Sequence, residues 1–523
     1  ARFAPLASIG VAEADHLRFR KAQAGLLDAL LSALPAANWD EAFAEARARL
    51  LRFEGVRPAA QPEGFQGELR PYQREGLGWL LFLREFGFGG CLADDMGLGK
   101  TAQALAYLET RRAAGAGPSL VVAPRSLVFN WMQEAARFTP RLRVLDYSGA
   151  QRRALKIGDC DVVLATYGTL RRDVVDFRAH HFDTIVLDEA QAIKNHNTEA
   201  AKAARLLRGE HRLALSGTPI ENHLGELWSL FEFLNPGLLG SARAFQGLAG
   251  KTAVEDPTAR HLLAHALRPF ILRRTKEQVA RDLPPKTEQT LYCELEGAQK
   301  RLYEDLLGHY RASLLERVDR QGLAKSKMHV LEALLRLRQA ACHPALVDRR
   351  QNGHTSAKLD ILLGNLEEVV EEGHKALVFS QFTSLLELLK PALEARGIVY
   401  EYLDGQTRDR QARVERFQND PACPLFLISL KAGGLGLNLT AAEYVYLLDP
   451  WWNPAVETQA IDRTHRIGQT RQVFAYRIVA RNTVEEKILQ LQDRKRGLAA
   501  AIITEDNALL RKLTREDLEL LLS

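Results

Sequence analysis

The stretch GCLADDMGLGKT, residues 90–101, decides the fold. Residues 90–93 read as a short buried strand. A glycine-containing turn follows, and Lys100 and Thr101 lead into a helix that starts around Ala102. In that order the backbone N–H groups of the turn and of the helix N-terminus converge on one spot and favour an anion there. Gly97 and Gly99 let the backbone approach closely. Lys100 is placed to neutralise the β- and γ-phosphates of a nucleotide, and the Thr101 hydroxyl to ligate magnesium. The strict phosphate-loop pattern has glycine where Asp94 stands, so the match is partial.

Outward from this stretch, short β-rich runs alternate with helical ones. Residues 119–123, 161–166, 184–187 and 212–216 read as further buried strands, several ending in a polar turn before a helix. The texture returns at 376–379, 400–403, 425–429, 444–448 and 473–478. Such alternation predicts an α/β fold with two lobes, each a parallel sheet with crossover helices, whose ligands bind at the carboxyl ends of the strands.

The strand 184–187 runs straight into Asp188 and Glu189. An aspartate at a buried strand end beside a phosphate loop is placed to hold magnesium, partly through water. Glu189 is placed to take a proton from the attacking water. Upstream, Gln73 carries an amide able both to donate to and accept from an adenine edge. Far downstream, Arg463 and Arg466 stand three apart, which puts them on one face of a helix, with Gln459 on the same side. Two guanidiniums presented together suit a phosphoryl transition state. Lys100, Asp188, Glu189, Arg463 and Arg466 are therefore the expected catalytic set, and Thr101 and Asp188 the expected metal ligands.

The 523 residues allow two to four domains. The net charge of +5 decides nothing about partners. Five scattered cysteines with no Cys-x-x-Cys pair argue against a zinc module or a disulfide framework and for a reducing cytoplasm. Cys342-His343 lacks a second pair at ligand spacing. No apolar run is long enough for a bilayer, so no membrane partner is expected. The chain begins with Ala1 and reads as a fragment of a longer protein. Residues 1–65 read as a mostly helical segment and linker, with Leu27, Leu30, Leu31 and Leu34 at helical spacing. Lobe 1 is expected over 66–240, helical protrusions and an inter-lobe linker over 241–355, lobe 2 over 356–482, and bracing helices over 483–523. A Thr-x-x-Glu capping box is expected at Thr483 and Glu486. The basic residues of 241–355, among them Arg274 and Arg338, read mostly as a solvated helical face.

In this setting the chain resembles helicase superfamily two, and within it the SWI/SNF-type remodelling ATPases. The resemblance rests on stretches in the family's order, spread over about 66–500: LRPYQ (69–73), DDMGLGKT (94–101), VVAPRSLVFNW (121–131), ATYGTL (165–170), LDEAQAIKN (187–195), LSGTPIEN (215–222), ALVFSQF (376–382), LDGQTRDRQ (403–411), ISLKAGGLGLNLTAA (428–442), DPWWNP (449–454) and QAIDRTHRIGQ (459–469). LLRRT (271–275), LRQAACHP (337–344) and VEEKILQLQ (484–492) are similar to family stretches outside the general helicase motifs. The family often has histidine where Gln191 stands.

The resemblance implies two RecA-like lobes with ATP and Mg2+ between them. It implies movement along double-stranded DNA without strand separation, coupled to remodelling or displacement of DNA-bound protein. It assigns ATP contacts to Gln73, Gly97, Gly99, Lys100, Thr101, Gly436 and Gln459. Contacts to the DNA backbone, or its coupling to ATP, fall on Pro124, Arg125, Ser126, Thr166, Tyr167, Gln381, Ser429, Lys431 and Gly433, which follow strand ends. Phosphate contacts of this kind are indifferent to sequence, as a translocating motor requires. Trp451 and Trp452 read as packing that positions their loop, since a duplex keeps its bases stacked inside. A monomer is expected, in the cytoplasm and on the nucleoid if the richness in Ala, Leu and Arg marks a bacterial member. The competing readings are a strand-separating DNA or RNA helicase, an ATPase that recycles stalled RNA polymerase, and a scaffold with a dead ATP site.

Overall fold

Apolar runs buried on both faces build two parallel sheets, as continuous rather than alternating hydrophobic strands require. The computed structural model describes residues 11–13, 16–18, 57–149, 157–217, 224–240, 267–280, 282–351, 353, 356–433, 437–450, 454–499 and 514–523. The chain divides into two units, Ala1–Ala280 and Arg281–Ser523.

Before residue 57 the described residues are two short strands, β1 (Val11–Glu13) and β2 (His16–Arg18), paired antiparallel. They form a hairpin where helix is expected; the leucine stripe 27–34 lies outside the described residues. The sheet of the first unit contains β3 (Gly90–Leu92), β4 (Ser119–Ala123), β5 (Val144–Asp146), β6 (Val162–Thr166), β7 (His181–Leu187), β8 (Arg208–Leu215) and β9 (Ile271–Leu272), in the order β5-β6-β4-β7-β8-β3-β9. All its pairings are parallel.

Crossover helices cover both faces. On one side α1 (Pro71–Phe86), α2 (Lys100–Ala113) and α3 (Arg125–Phe138) bury Leu80, Leu105, Tyr107 and Trp131 against Val121, Val186 and Leu213. Phe177, Ala203 and Phe233 pack with the alternate strand residues Leu120, Val122, Ile185 and Leu187 on the other. The short helix α4 (Tyr167–Arg172) leaves the end of β6. Thus β3, β4, β6, β7 and β8 all deliver their carboxyl ends to one edge.

The second sheet contains β10 (Lys286–Cys293), β11 (Ala376–Ser380), β12 (Tyr400–Leu403), β13 (Leu425–Ser429), β14 (Tyr444–Leu447) and β15 (Val473–Ala480), ordered β10-β15-β14-β11-β13-β12 and again parallel. Two long helices, α5 (Gly297–Gln321) and α6 (Leu323–Cys342), meet at Gly322, whose φ of 78° suits glycine. With α7 (Ala357–Glu371) and α8 (Thr383–Ala395) they cover one face through Leu337, Leu362, Leu366, Leu386 and Leu389.

The stretch read as helical protrusions therefore also supplies β9 and β10 to the sheets. The helix α9 (Pro454–Ile461) precedes β15, and α10 (Val484–Ala499) follows it. The start of α10 is bonded one residue out of the expected register. Glu486 accepts from Asn482 N–H at 2.7 Å, and Thr483 Oγ1 accepts from Glu485 N–H at 3.3 Å. Thr483 donates its own proton to Ala480 O, which draws the hydroxyl back toward β15. Under α10 the fully buried Lys358 bonds Glu485 Oε1 at 2.7 Å and Leu448 O at 2.6 Å, so a buried charge is paired as it must be. Among the described residues no helix is long and apolar enough to cross a membrane.

Candidate nucleotide site

The turn after β3 is shaped by two glycines in the left-handed region, Gly97 (φ 87°) and Gly99 (φ 71°), the second at the N-terminal boundary of α2. At this left-handed φ another residue would be strained, and its Cβ, 2.5 Å from Gln73 Nε2, would push that amide aside. Lys100 Nζ donates to Asp94 O at 2.6 Å and to Asp95 O at 3.3 Å. Burial lowers the Lys100 pKa, opposed by Glu189, Asp94, Asp188 and Asp95. Thr101 lies in the first turn of α2. Gln73 donates from Nε2 to Leu98 O at 3.2 Å and accepts Arg70 N–H at 2.9 Å, while the Tyr72 hydroxyl donates to the same Leu98 carbonyl at 2.9 Å. Gln73 is thus tied to the phosphate loop itself.

Asp94, where the strict pattern has glycine, is fully buried and paired with Arg274. Arg274 enters from the residues that follow β9, and its own N–H also meets Asp94 Oδ1 at 3.1 Å. It is buried rather than part of a solvated basic face, because the backbone after β9 pairs with the loop through Asp95 N–H and Arg274 O.

Asp188 follows β7. Its Oδ2 accepts the Trp131 indole N–H at 2.8 Å, and its Oδ1 accepts Glu189 N–H at 2.9 Å. Burial, with Glu189 next to it, pushes the Asp188 pKa up. Glu189 is a non-glycine residue at φ 48°, ψ 57°, a costly conformation that clusters at functional sites. Gln191 Nε2 donates to Glu189 Oε2 at 2.6 Å, and Ser216, after β8, donates to Gln191 Oε1 at 3.4 Å. Gln191 thus joins Glu189 to the next strand end. With Asp94 matched by Arg274, the charges of Glu189, Asp188 and Asp95 that act on Lys100 outnumber it. That balance fits a divalent cation shared with phosphates. Among the described residues no group of three or more His, Cys, Asp or Glu forms a metal cage.

The expected DNA residues of this unit are employed in several ways. Pro124 precedes α3 and Arg125 is exposed; of Ser126 only the backbone is described. Thr166 is buried, its Oγ1 capping α4 by accepting Thr169 N–H at 3.0 Å. The Tyr167 hydroxyl donates to Asp188 O at 2.8 Å.

In the second unit α9 stops at Ile461 with Gln459 in its last turn, so Arg463 and Arg466 do not share a helix face as expected. They stand in turns closed by Arg463 N–H to Ala460 O at 3.2 Å and Arg466 N–H to Thr464 O at 3.1 Å. Tertiary bonds outweigh helix continuation here: His465 Nε2 meets Pro284 O at 2.9 Å, and Gln469 Nε2 donates to Ala442 O at 2.9 Å. Arg463 is buried and Arg466 half-buried.

Gln381 follows β11. Its N–H donates to Asp449 at 3.2 Å, its Oε1 accepts from Arg338 at 3.3 Å, and its Nε2 is buried without a partner among the described residues. Arg338, also read as solvated, is buried and stands 3.8 Å from Asp449. Ser429 ends β13, and Lys431 and Gly433 lie in the short helix Leu430–Gly433, with only the Lys431 backbone described. Gly436, Trp451 and Trp452 lie outside the described residues. Sequence reasoning gave no role to Trp131, Arg274 or Arg338; their places within VVAPRSLVFNW, LLRRT and LRQAACHP were the one signal present.

Two family models match: the SNF2-related domain over residues 72–346 and the helicase conserved C-terminal domain over 357–468. The Bacillus subtilis protein YwqA, named for an ATP-dependent helicase/translocase, is 40% identical over 470 residues, covering 86% of this chain and 50% of that protein. The TATA-binding protein-associated factor MOT1 of Saccharomyces cerevisiae is 34% identical over 538 residues, covering 88% of this chain and 29% of its own. The Sulfolobus solfataricus SWI2/SNF2 ATPase core, solved in complex with dsDNA, is 35% identical, with 90% of this chain and 99% of that one covered at a TM-score of 0.45. The chain spans half or less of the length of these curated relatives. By the two family models and the curated relatives, the chain belongs to the SNF2-related family of helicase superfamily two and is an ATP-hydrolysing enzyme.

Proposed function

We propose that the protein is a double-stranded DNA translocase that spends ATP to move along the duplex and to remodel or displace protein bound to it. One observation carries the reading. Asp188 and Glu189 stand at the end of β7, fixed by Trp131, Tyr167 and Gln191, with Lys100 held by the same negative charge. An inactive scaffold has no reason to keep a left-handed glutamate and an under-compensated acidic pair.

In this reading Lys100 neutralises the outer phosphates, and Gly97 and Gly99 bring the loop backbone to them. Thr101 and Asp188 hold Mg2+, and Glu189 takes the proton from water. Arg463 and Arg466 stabilise the transition-state charge, worth about 10³–10⁵ in rate for such groups. Gln73, also bonded to the loop, meets the nucleotide, as do Gly436 and Gln459. Pro124, Arg125, Ser126, Gln381, Ser429, Lys431 and Gly433 meet the DNA backbone, while Thr166 and Tyr167 couple it to the acidic pair. The protein acts as a monomer in the cytoplasm.

The test is steady-state ATP hydrolysis with no nucleic acid, single-stranded DNA, double-stranded DNA or duplex RNA, alongside Glu189→Gln, and displacement of a third strand from a triplex. Stimulation by duplex DNA, abolished by Glu189→Gln and accompanied by triplex displacement, is expected. Equal stimulation by single strands or RNA would replace the reading with a strand-separating helicase.

A further inference from the structure

Asp188 is gripped from two neighbouring elements of the first unit. Trp131 bonds its carboxylate and Tyr167 its carbonyl, each at 2.8 Å. Trp131 is 2% exposed and Asp188 7%, so the indole–carboxylate bond is made away from water, where a hydrogen bond to a charged group is strong. An indole N–H can only donate, so this bond requires an oxygen of Asp188 and fixes which way the carboxylate faces. The other oxygen is held by Glu189 N–H. Any rotation of the Asp188 carboxylate therefore reaches the Glu189 backbone, which already stands in the left-handed region.

Trp131 belongs to α3, a helix of 14 residues that begins directly after β4 at Arg125. Its ring belongs to the apolar core on the face of the sheet that α3 covers, the same core as Val121, Leu127 and Val186. A rigid helix thus has one end at the exposed Arg125 and, under two turns later, a side chain on the magnesium-side carboxylate.

We propose that Trp131 is a positioning residue for ATP hydrolysis: its N–H sets the Asp188 carboxylate, and through it contact of nucleic acid with the start of α3 reaches the Asp188–Glu189 pair. This rests on the DNA-stimulated reading above. A phosphate drawn to Arg125 would act on α3, and through the Trp131 N–H on the orientation in which Asp188 would hold the cation.

The test replaces Trp131 with 3-benzothienylalanine, which keeps the ring shape and puts sulfur where the N–H was, and compares it with Trp131→Phe. Four quantities are read on the whole chain: the thermal midpoint, the Kd of a fluorescent ATP analogue with and without Mg2+, the Kd for duplex DNA, and kcat with and without DNA. The isostere is expected to melt as the wild type does, to bind DNA and metal-free nucleotide unchanged, to lose the Mg2+-dependent gain in nucleotide affinity, and to lose about tenfold in DNA-stimulated kcat. Full stimulated kcat in the isostere overturns the proposal. A loss of kcat matched by weaker metal-free nucleotide binding or a lower midpoint overturns it too, because packing alone would do that. Wild-type hydrolysis indifferent to every nucleic acid would overturn the translocase reading and the coupling with it, whereas stimulation retained in the isostere removes the coupling alone.

Discussion

Arg274 closes a two-point ion pair on Asp94, with Nε 3.0 Å from Oδ1 and Nη2 2.6 Å from Oδ2. The same guanidinium donates to Gln103 Oε1 at 2.9 Å and to Tyr72 O, and lies 5.1 Å from the centre of the Tyr72 ring. A residue from the end of β9 thereby locks the entry of the phosphate loop to α1 and α2. Breaking a buried pair by removing one partner leaves the other charged and dry, at a cost of about 3–5 kcal/mol. Arg274→Leu is expected to lose stability on that scale in urea denaturation and to weaken nucleotide binding. Adding Asp94→Asn should restore part of the stability. A loss below about 1 kcal/mol, the size of an exposed pair, would refute the interior role.

Gln191 stands between Glu189 and Ser216, so it connects the candidate base to the residue after β8. Gln191→Ala frees the Glu189 carboxylate. The kcat for ATP hydrolysis should fall about tenfold, the value of one charge-assisted hydrogen bond, with nucleotide affinity unchanged. Gln191→His keeps a donor at that place and should retain most of the rate. Equal losses in both variants would mean that packing, not the hydrogen bond, matters there. Steady-state kinetics with a separate nucleotide titration decides.

How much of this was legible in the sequence depends on where each residue's partners lie. Leu120 to Ala123 and Val162 to Ala165 are unbroken apolar runs because both faces of their strands are covered, and they were readable as strands. β9 has two residues, β5 is half-exposed, and β10 is largely exposed at a sheet edge. None of the three carries an apolar period, so none could be read. The places of Lys100, Asp188 and Glu189 after strand ends were legible because each lies within its own motif. Trp131, Arg274 and Arg338 were not, since Trp131 meets Asp188 57 residues away and Arg274 meets Asp94 180 residues away. Only the fold creates those pairs. Arg463 and Arg466 show the opposite error: their spacing means a shared face only while a helix persists, and His465 and Gln469 spend their side chains on distant carbonyls instead.

His211 gives the first unit an acid-sensitive point. Its Nε2 donates to Phe88 O at 2.8 Å, and its Nδ1 lies 2.9 Å from the Tyr107 hydroxyl. Burial lowers its pKa from 6.5 to about 4. Between those values the unfolded chain binds the proton and the folded chain does not, so stability rises with pH through that window. The contribution is complete above about pH 6.5, declines as pH falls, and is spent near pH 4; the full shift corresponds to about 3 kcal/mol. His211→Gln keeps a donor and an acceptor but does not titrate. Urea midpoints for the two proteins should therefore converge as pH drops from 7 to 4.5. Parallel midpoints over that range would show that His211 carries no such linkage.

Tyr446 offers a prediction of the opposite sign. It is fully buried in β14, with its ring stacked 5.4 Å from that of Tyr476, and its hydroxyl has no partner among the described residues. A buried hydroxyl without a partner forfeits its hydration and gets nothing in return, a penalty of about 1–3 kcal/mol. The stacking and the apolar contacts with the α7 side of the core need only the ring. Tyr446→Phe keeps the ring and removes the penalty, so the second unit should be as stable as the wild type or more so. Tyr446→Ala removes both and leaves a cavity, costing about 3–5 kcal/mol as for other large aromatics. In a denaturation series Tyr446→Ala therefore falls below the wild type and Tyr446→Phe does not. If Tyr446→Phe instead loses about 1 kcal/mol, the hydroxyl is bonded to a buried water and the ring alone does not account for the site.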